Sequence, residues 1–354
     1  RFSDPANLAL ALLFGLLYVA GSLASHPLSV RFGERRLLLL FMALEAAVHL
    51  AMAARPTRGV LFLLMPLAGA LYGLHWPIVE SFVAAGRTPA RMQRTVGLFN
   101  MTWSSAVPLT LAAAGPIIRF WPPGLFVLAA ALNLAALVAL LRAPARPRHL
   151  AHDHPERPPT HELGRLSGLL RGHRWLMLVG YASMFVLAPL MPGIFRQLGV
   201  SLQRATSYSG LLDLMRVASF AALWAWAGWH GSRLLLALAA AALPAGFFLV
   251  LFGGAIGTVL AGEIVFGLAM GAVYYGALHY ALVVRNAAVD AGGVHESLIG
   301  GGFALGPAVG LLSFALMPVF DSRIAGYLVA LVPMFALGCG AALLAASRRA
   351  PQPD

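Results

Sequence analysis

The chain has 354 residues, of which 60% are hydrophobic and 11% charged, a balance that excludes a water-soluble fold. Its net charge of +12 comes from arginines set mainly between long apolar runs, so the excess reads as membrane orientation and excludes a nucleic-acid partner. The single cysteine, Cys339, lies inside an apolar run and rules out a disulfide framework.

Runs of about eighteen or more apolar residues cross a bilayer core as helices, because a helix satisfies its own backbone groups where no water can. The first run is Ala6–Leu28, with Asp4 and Pro5 as its start. A tight turn follows, carrying Arg31, Gly33, Glu34, Arg35 and Arg36. Further runs come at Leu37–Ala53, Val60–Ala85, Thr95–Ile118 and Gly124–Leu141. The third contains Gly69, Gly73, His75, Trp76, Pro77 and Glu80, and Pro77 is expected to loosen or kink it. The fourth carries Asn100, Trp103, Ser104 and Pro108.

Arg142–Arg174 breaks the pattern: it is rich in Pro, Arg and His, has no long apolar run, and reads as a flexible hydrophilic connector. Six runs follow, at Trp175–Phe195, Thr206–Trp229, Leu234–Phe252, Ile256–Val284, Leu298–Val319 and Ile324–Ala346. The expected organisation is an N-terminal bundle over residues 1–141, the connector over 142–174 and a C-terminal bundle over 175–347. The bundles echo each other. The interval from Gly33 to Gly231 also carries Arg35 onto Arg233, Gly69 onto Gly267 and Gly73 onto Gly271, and nearly the same interval carries Pro108 onto Pro307. Trp175–Phe195 has no partner at that interval, so a helix ahead of residue 1 is expected: eleven transmembrane helices here, five plus six, of a six-plus-six plan of twelve. A native eleven-helix protein is the alternative.

With the Arg31–Arg36 turn in the cytoplasm, most arginines, the connector and the C-terminus fall on that side, as expected in a bacterial inner membrane. The segment His26-Pro27-Leu28-Ser29-Val30-Arg31-Phe32-Gly33-Glu34-Arg35 resembles the hallmark turn of the major facilitator superfamily, Gly-x-Leu-x-Asp-Arg-x-Gly-Arg-Arg. It matches at Leu28, Arg31, Gly33 and Arg35 and departs at His26, Val30 and Glu34. The resemblance implies an all-α polytopic membrane protein with two rocking bundles and no cofactor. Its gating loops would be Arg31, Gly33, Arg35 and Arg36, with the echo Gly231 and Arg233, locking the bundle ends together.

Ionisable side chains deep in membrane helices are costly and mark candidate function. Here they are Glu45, Glu80, Asp213, Arg216 and Glu263, with His75 and His279 beside them. Gly69, Gly73, Trp76 and Glu80 share a helical face, and Glu263, Gly267, Gly271 and Tyr274 form a similar stripe. Glu80 and Glu263 are each candidate proton carriers; the plainer reading makes Glu80 a cap or bridge to the Arg87–Arg94 loop and Glu263 structural. Thr206, Ser209, Asp213 and Arg216 form a polar stripe, in which Asp213 and Arg216 either neutralise each other locally or bind a charged substrate. Asn100, Trp103 and Ser104 either meet a ligand or pack between helices, and Glu45 is expected in a structural or interfacial place. In Gly292-Gly293-Val294-His295-Glu296, Glu296 caps the next helix, with a gate hinge as the other reading.

His149, His152, His154 and His161 in the connector are weak metal candidates, because a Pro-rich segment offers no closed geometry. There is no Walker loop and no sign of an enzyme. The expected function is secondary transport of a small-molecule solute across the bilayer by alternating access, coupled to protons, by a monomer. A non-transporting sensor or assembly protein on the same scaffold is the alternative, and a metal-ion exporter the lesser one.

Overall fold

The computed structural model describes residues 2–84, 89–147, 160–285 and 289–347. These fold into eleven α-helices: α1 (Asp4–Phe32), α2 (Glu34–Ala54), α3 (Arg58–Ala84), α4 (Pro89–Phe120), α5 (Gly124–Leu140), α6 (Thr160–Gln197), α7 (Leu202–Ala225), α8 (Arg233–Phe252), α9 (Ile256–Arg285), α10 (Val289–Phe320) and α11 (Arg323–Ser347). A single 3-10 turn, Ala227–Trp229, follows α7. Among the described residues nine helices are long and apolar enough to cross a membrane, and α5 is a shorter apolar helix. The remaining one, α7, carries Arg204, Asp213 and Arg216 along its length. Large apolar side chains such as Leu63, Leu109, Leu132 and Leu337 stay exposed on the outer faces, where the only apolar solvent is lipid.

Local chemistry sets the helix ends. Ser3 caps α1 by accepting from the Ala6 N–H at 3.4 Å, and Ser232 caps α8 by accepting from the Leu235 N–H at 3.1 Å. Gly33, at φ 87°, reverses the chain between α1 and α2, a left-handed conformation that side chains resist. Its repeat partner Gly231 has φ 76° between α7 and α8, so the echoed glycine is an echoed backbone conformation.

The duplication also holds in the packing. A side chain at Gly69 or Gly73 of α3 would strike the Phe14 or Tyr18 carbonyl of α1. One at Gly267 or Gly271 of α9 would strike the Leu212 or Arg216 carbonyl of α7. The interval from Gly33 to Gly231 also takes Phe14 onto Leu212 and Tyr18 onto Arg216. The helix pairs α1/α3 and α7/α9 are thus the same close crossing made twice, with glycines removing the side chains between backbones.

Two cores result. Leu37, Leu38, Phe41, Val48, Met52, Ala68, Leu71 and Ile78 pack together within α2 and α3. A larger cluster joins α6 through α11 and takes in Val96 of α4. Between them, α1 packs along α10, α4 along α7, and α3 meets α10.

Two details depart from the sequence reading. The helix expected at Trp175 begins at Thr160, so residues 160–174 are helical where a flexible connector was expected. There Leu166, Leu169, Leu170 and His173 lie on one face and are buried. The helix expected to run to Trp229 ends at Ala225, and the 3-10 turn buries Trp229, whose Nε1 donates to the Leu223 carbonyl at 2.9 Å. Pro66 and Pro77 both lie inside α3.

Candidate functional site

A cavity of about 690 Å³ lies between the two sets of helices, walled by α1, α3, α4, α6, α7, α9 and α10. Exposed Ala188 and Pro192 of α6 border it, and buried Tyr18, Tyr274 and Glu296 close it elsewhere. Nine of the 22 described lining residues are aromatic. Phe303 of α10 meets Phe14 and Tyr18 of α1 at 5.8 and 5.0 Å between ring centroids, and Phe185 of α6 at 3.9 Å. Trp76 and Trp103 stand edge-on at 6.3 Å. Among the described residues charge enters the wall through three: Asp213, Arg216 and Glu296.

Asp213 and Arg216 are one turn apart on α7, and Arg216 Nη2 lies 2.7 Å from Asp213 Oδ1. The guanidinium also sits over the Trp103 ring, 5.0 Å from its centroid. Trp103 is held in turn: its Nε1 donates to Asn100 Oδ1 at 3.1 Å, and it meets Tyr274 at 5.2 Å. The local ion pair expected from the i, i+3 spacing is therefore present, and it faces the cavity. Trp76, Trp103, Tyr274, Asp213 and Arg216 all line the cavity. Asn100 does not line the cavity; it is fully buried and orients Trp103. Ser104 Oγ donates back to the Asn100 carbonyl at 2.5 Å, so it serves its own helix.

The Glu296 end holds a group the sequence reading divided. Glu296 lies well inside α10, buried, and accepts a hydrogen bond from the Tyr18 hydroxyl of α1. Expected as a helix cap, it is instead part of the cavity wall, because α10 begins at Val289 and its early turns pack on α1 and α3. Glu80 of α3 and His295 of α10 complete a cluster whose ligating atoms all lie within 4.8 Å of one another. Gly292 lets α10 come close: a Cβ there would sit 3.0 Å from Glu80 Oε2 and 3.3 Å from the Pro77 carbonyl. Among the described residues this is the one group of metal-ligating side chains gathered so closely.

Glu263 is buried on α9 beside Leu212 and Asp213, away from the cavity wall; its carboxylate approaches the Leu212 backbone and has no side-chain hydrogen-bond partner among the described residues. Glu45 takes the structural place expected of it: its Oε1 is 2.5 Å from His75 Nδ1, tying α2 to α3. His49 Nε2 lies 3.1 Å from the Tyr72 hydroxyl one turn away on the same interface. His279 stacks on His230, 4.2 Å between centroids, in a separate cluster with Trp229. His230 lies outside the membrane-spanning helices, and partial burial pushes its imidazole below the ordinary range.

The arginine turns act within their own halves. Arg35 Nη1 donates to the Ala143 carbonyl at 3.0 Å, fastening the turn to the segment after α5, while Arg31 lies over Phe32 and Arg36 is exposed. The Gly231 N–H donates to the Tyr280 hydroxyl at 2.9 Å, Arg165 packs beside it, and Arg233 is exposed. Among the described residues these side chains make no hydrogen bond or ion pair from one half to the other, and α1 and α3 meet α10 across the halves. His149, His152, His154 and Arg87 lie outside the described residues, as does the side chain of His161. Glu296 and His295 are the site residues the sequence reading missed, although Gly292, Glu296, Gly300, Phe303 and Pro307 recur at helical spacing.

Comparison with known proteins agrees with this architecture. The structure is similar to that of the human organic anion transporter MFSD10 (TETRAN), with a TM-score of 0.64 and 17% sequence identity, covering 97% of this chain and 82% of that one. No curated protein matches the chain in sequence. The family model described as Major Facilitator Superfamily matches residues 3–307. An integral membrane chain of apolar helices in two cored sets, matched to that model over most of its length, belongs to the Major Facilitator Superfamily of transporters.

Proposed function

We propose that this protein is a secondary transporter that moves a small organic solute by alternating access, with the solute seated in the cavity between the two sets of helices. The observation that carries the reading is the cavity itself, which is bounded by both halves, lined in good part by aromatic rings, and charged, among the described residues, at Asp213, Arg216 and Glu296 alone. Such walls suit a solute with an apolar, ring-bearing body whose polar end meets the Asp213–Arg216 pair. With the Arg31–Arg36 turn in the cytoplasm of a bacterial inner membrane, the Pro192 side of the cavity faces outward and the Glu80–Glu296 end closes the inner side. Rocking of the halves about α1/α10 and α4/α7 would reverse that access.

A proton is the proposed coupling ion, and Glu263 its carrier. A carboxylate buried in a membrane helix without a side-chain partner marks an ion or proton path. Glu263 stands directly behind Asp213, which borders the cavity, so solute and proton can compete for the same charged wall. Purified protein in liposomes tests the whole reading. A solute that raises the protein's thermal stability in a library screen is expected to show counterflow across the vesicle membrane. Binding without any turnover would refute transport and favour a sensor on the same scaffold.

A further inference from the structure

We propose that Glu80, His295 and Glu296 form a binding site for a divalent first-row transition-metal ion, held between α3 of the first half and α10 of the second. All three side chains are buried, and their ligating atoms lie within 4.8 Å of one another. Tetrahedral ligands about 2.0–2.2 Å from a zinc-sized ion stand roughly 3.4 Å apart, so the cluster has to contract by little more than an ångström, which two Glu side chains can supply.

The case rests on what these groups lack. Among the described residues Glu80 has no hydrogen-bond partner beyond the facing Glu296 carboxylate, and neither ring nitrogen of His295 has one, although both residues are more than nine-tenths buried. Buried polar groups left this way are expensive. The Glu80 and Glu296 carboxylates face each other closely, and as anions both only accept hydrogen bonds. One shared proton would reconcile the two carboxylates and still leave both His295 nitrogens unpaired. A divalent cation engages all three side chains at once.

The surroundings fit a metal. A set of two carboxylates and one imidazole suits zinc or manganese better than the all-oxygen shells of calcium or magnesium. The Tyr18 hydroxyl already donates to Glu296, the outer hydrogen bond that orients a ligating carboxylate. Tyr274 stands edge-on to His295 at 5.0 Å and fixes the ring. Glu296 also lines the cavity, so a fourth coordination position is open to water or to a solute group. An ion bound here would clasp α3 to α10 at the Glu296 end of the cavity.

The test uses the full chain, without a histidine tag, with His149, His152, His154 and His161 replaced by alanine so that the connector contributes no ligands. After chelation and dialysis against zinc, elemental analysis is expected to find one zinc per chain. Glu80→Gln and His295→Ala should each weaken binding at least a hundredfold, and Tyr18→Phe by about ten- to a hundredfold. No stoichiometric zinc in the parent, or zinc undisturbed by both ligand variants, overturns the proposal. Because those variants can misfold, X-ray absorption at the zinc edge of the parent decides independently. One imidazole among oxygen ligands is expected, and none or several overturns the assignment.

Discussion

The duplicated glycine crossings make a sharp stability prediction. In Gly73→Ala the new carbon would lie 2.9 Å from the Ser22 nitrogen and closer still to the Tyr18 carbonyl oxygen. In Gly271→Ala it would lie 2.8 Å from the Arg216 carbonyl oxygen and 2.5 Å from the Ser219 Cβ. At Gly73 all of the nearest atoms are backbone, so no rotamer change relieves the contact and α1 must move off α3. A gap of about 0.5 Å forfeits roughly a quarter of the dispersion energy at each neighbouring contact. Overpacking of this kind costs about 1–3 kcal/mol, and backbone contacts place it near the top of that range. Alanine returns about 1 kcal/mol of helix preference over glycine. The net expectation is a loss of about 2 kcal/mol at each site, roughly thirtyfold in the folding equilibrium. Gly340→Ala is the internal control, since nothing lies within 4 Å of a Cβ there; it should be neutral or stabilising. Denaturant titration in detergent measures all three. A cycle with Tyr18→Phe should give a coupling near zero, because the clash is with the carbonyl. Gly73→Ala as benign as Gly340→Ala, or a Gly271 variant unlike its repeat partner by more than about 1 kcal/mol, would refute the shared-crossing reasoning.

Asp213→Asn leaves the Arg216 guanidinium buried without its counter-charge and should cost about 3–5 kcal/mol, while Asp213→Asn with Arg216→Gln should recover most stability and no transport, as read by thermal unfolding and uptake. Glu263→Gln should abolish uphill accumulation in liposomes and spare counterflow; loss of both would remove Glu263 from the coupling path. Asn100→Leu strands the Trp103 Nε1–H, so about 1–3 kcal/mol of stability and part of the solute affinity should go together. Desolvation lowers the imidazole of His230 even though the residue is exposed in part, so its contribution is intact above the ordinary histidine pKa of about 6.5 and is lost as the pH falls below it. His230→Asn should flatten that acid slope in a thermal-stability series.

Much of the fold was legible because lipid imposes a simple rule on outward faces. The apolar runs located all eleven helices, and the Gly33 and Gly231 turns located the repeat, since glycine there answers a conformational demand that other residues resist. The repeat carried further than its landmarks: Gly69 and Gly73 proved to meet the same two turns of α1 that Gly267 and Gly271 meet on α7. What misled was polarity. Residues 160–174 look like a connector by composition, yet Leu166, Leu169 and Leu170 supply an apolar stripe that packs against the second core and keeps the segment helical.

The same polarity explains the half-read site. Hydropathy reports what faces lipid, and a helix buried between two halves of a transporter need not be apolar at all. The apolar run of α10 starts at Leu298, so Glu296 reads as a cap just outside it, whereas the helix starts at Val289 and those polar turns rest on α1 and α3. Glu80 reads as a residue near a basic loop for the same reason. Neither carboxylate is conspicuous alone, and no spacing links them, because α3 and α10 are far apart in sequence and meet only when the halves close. Asp213 and Arg216 were legible as a pair precisely because one helical turn joins them. Contacts within a helix are written in its periodicity; contacts between halves are set by how the bundles dock, and in this chain the most unusual chemistry, Glu80 against His295 and Glu296, lies at that junction.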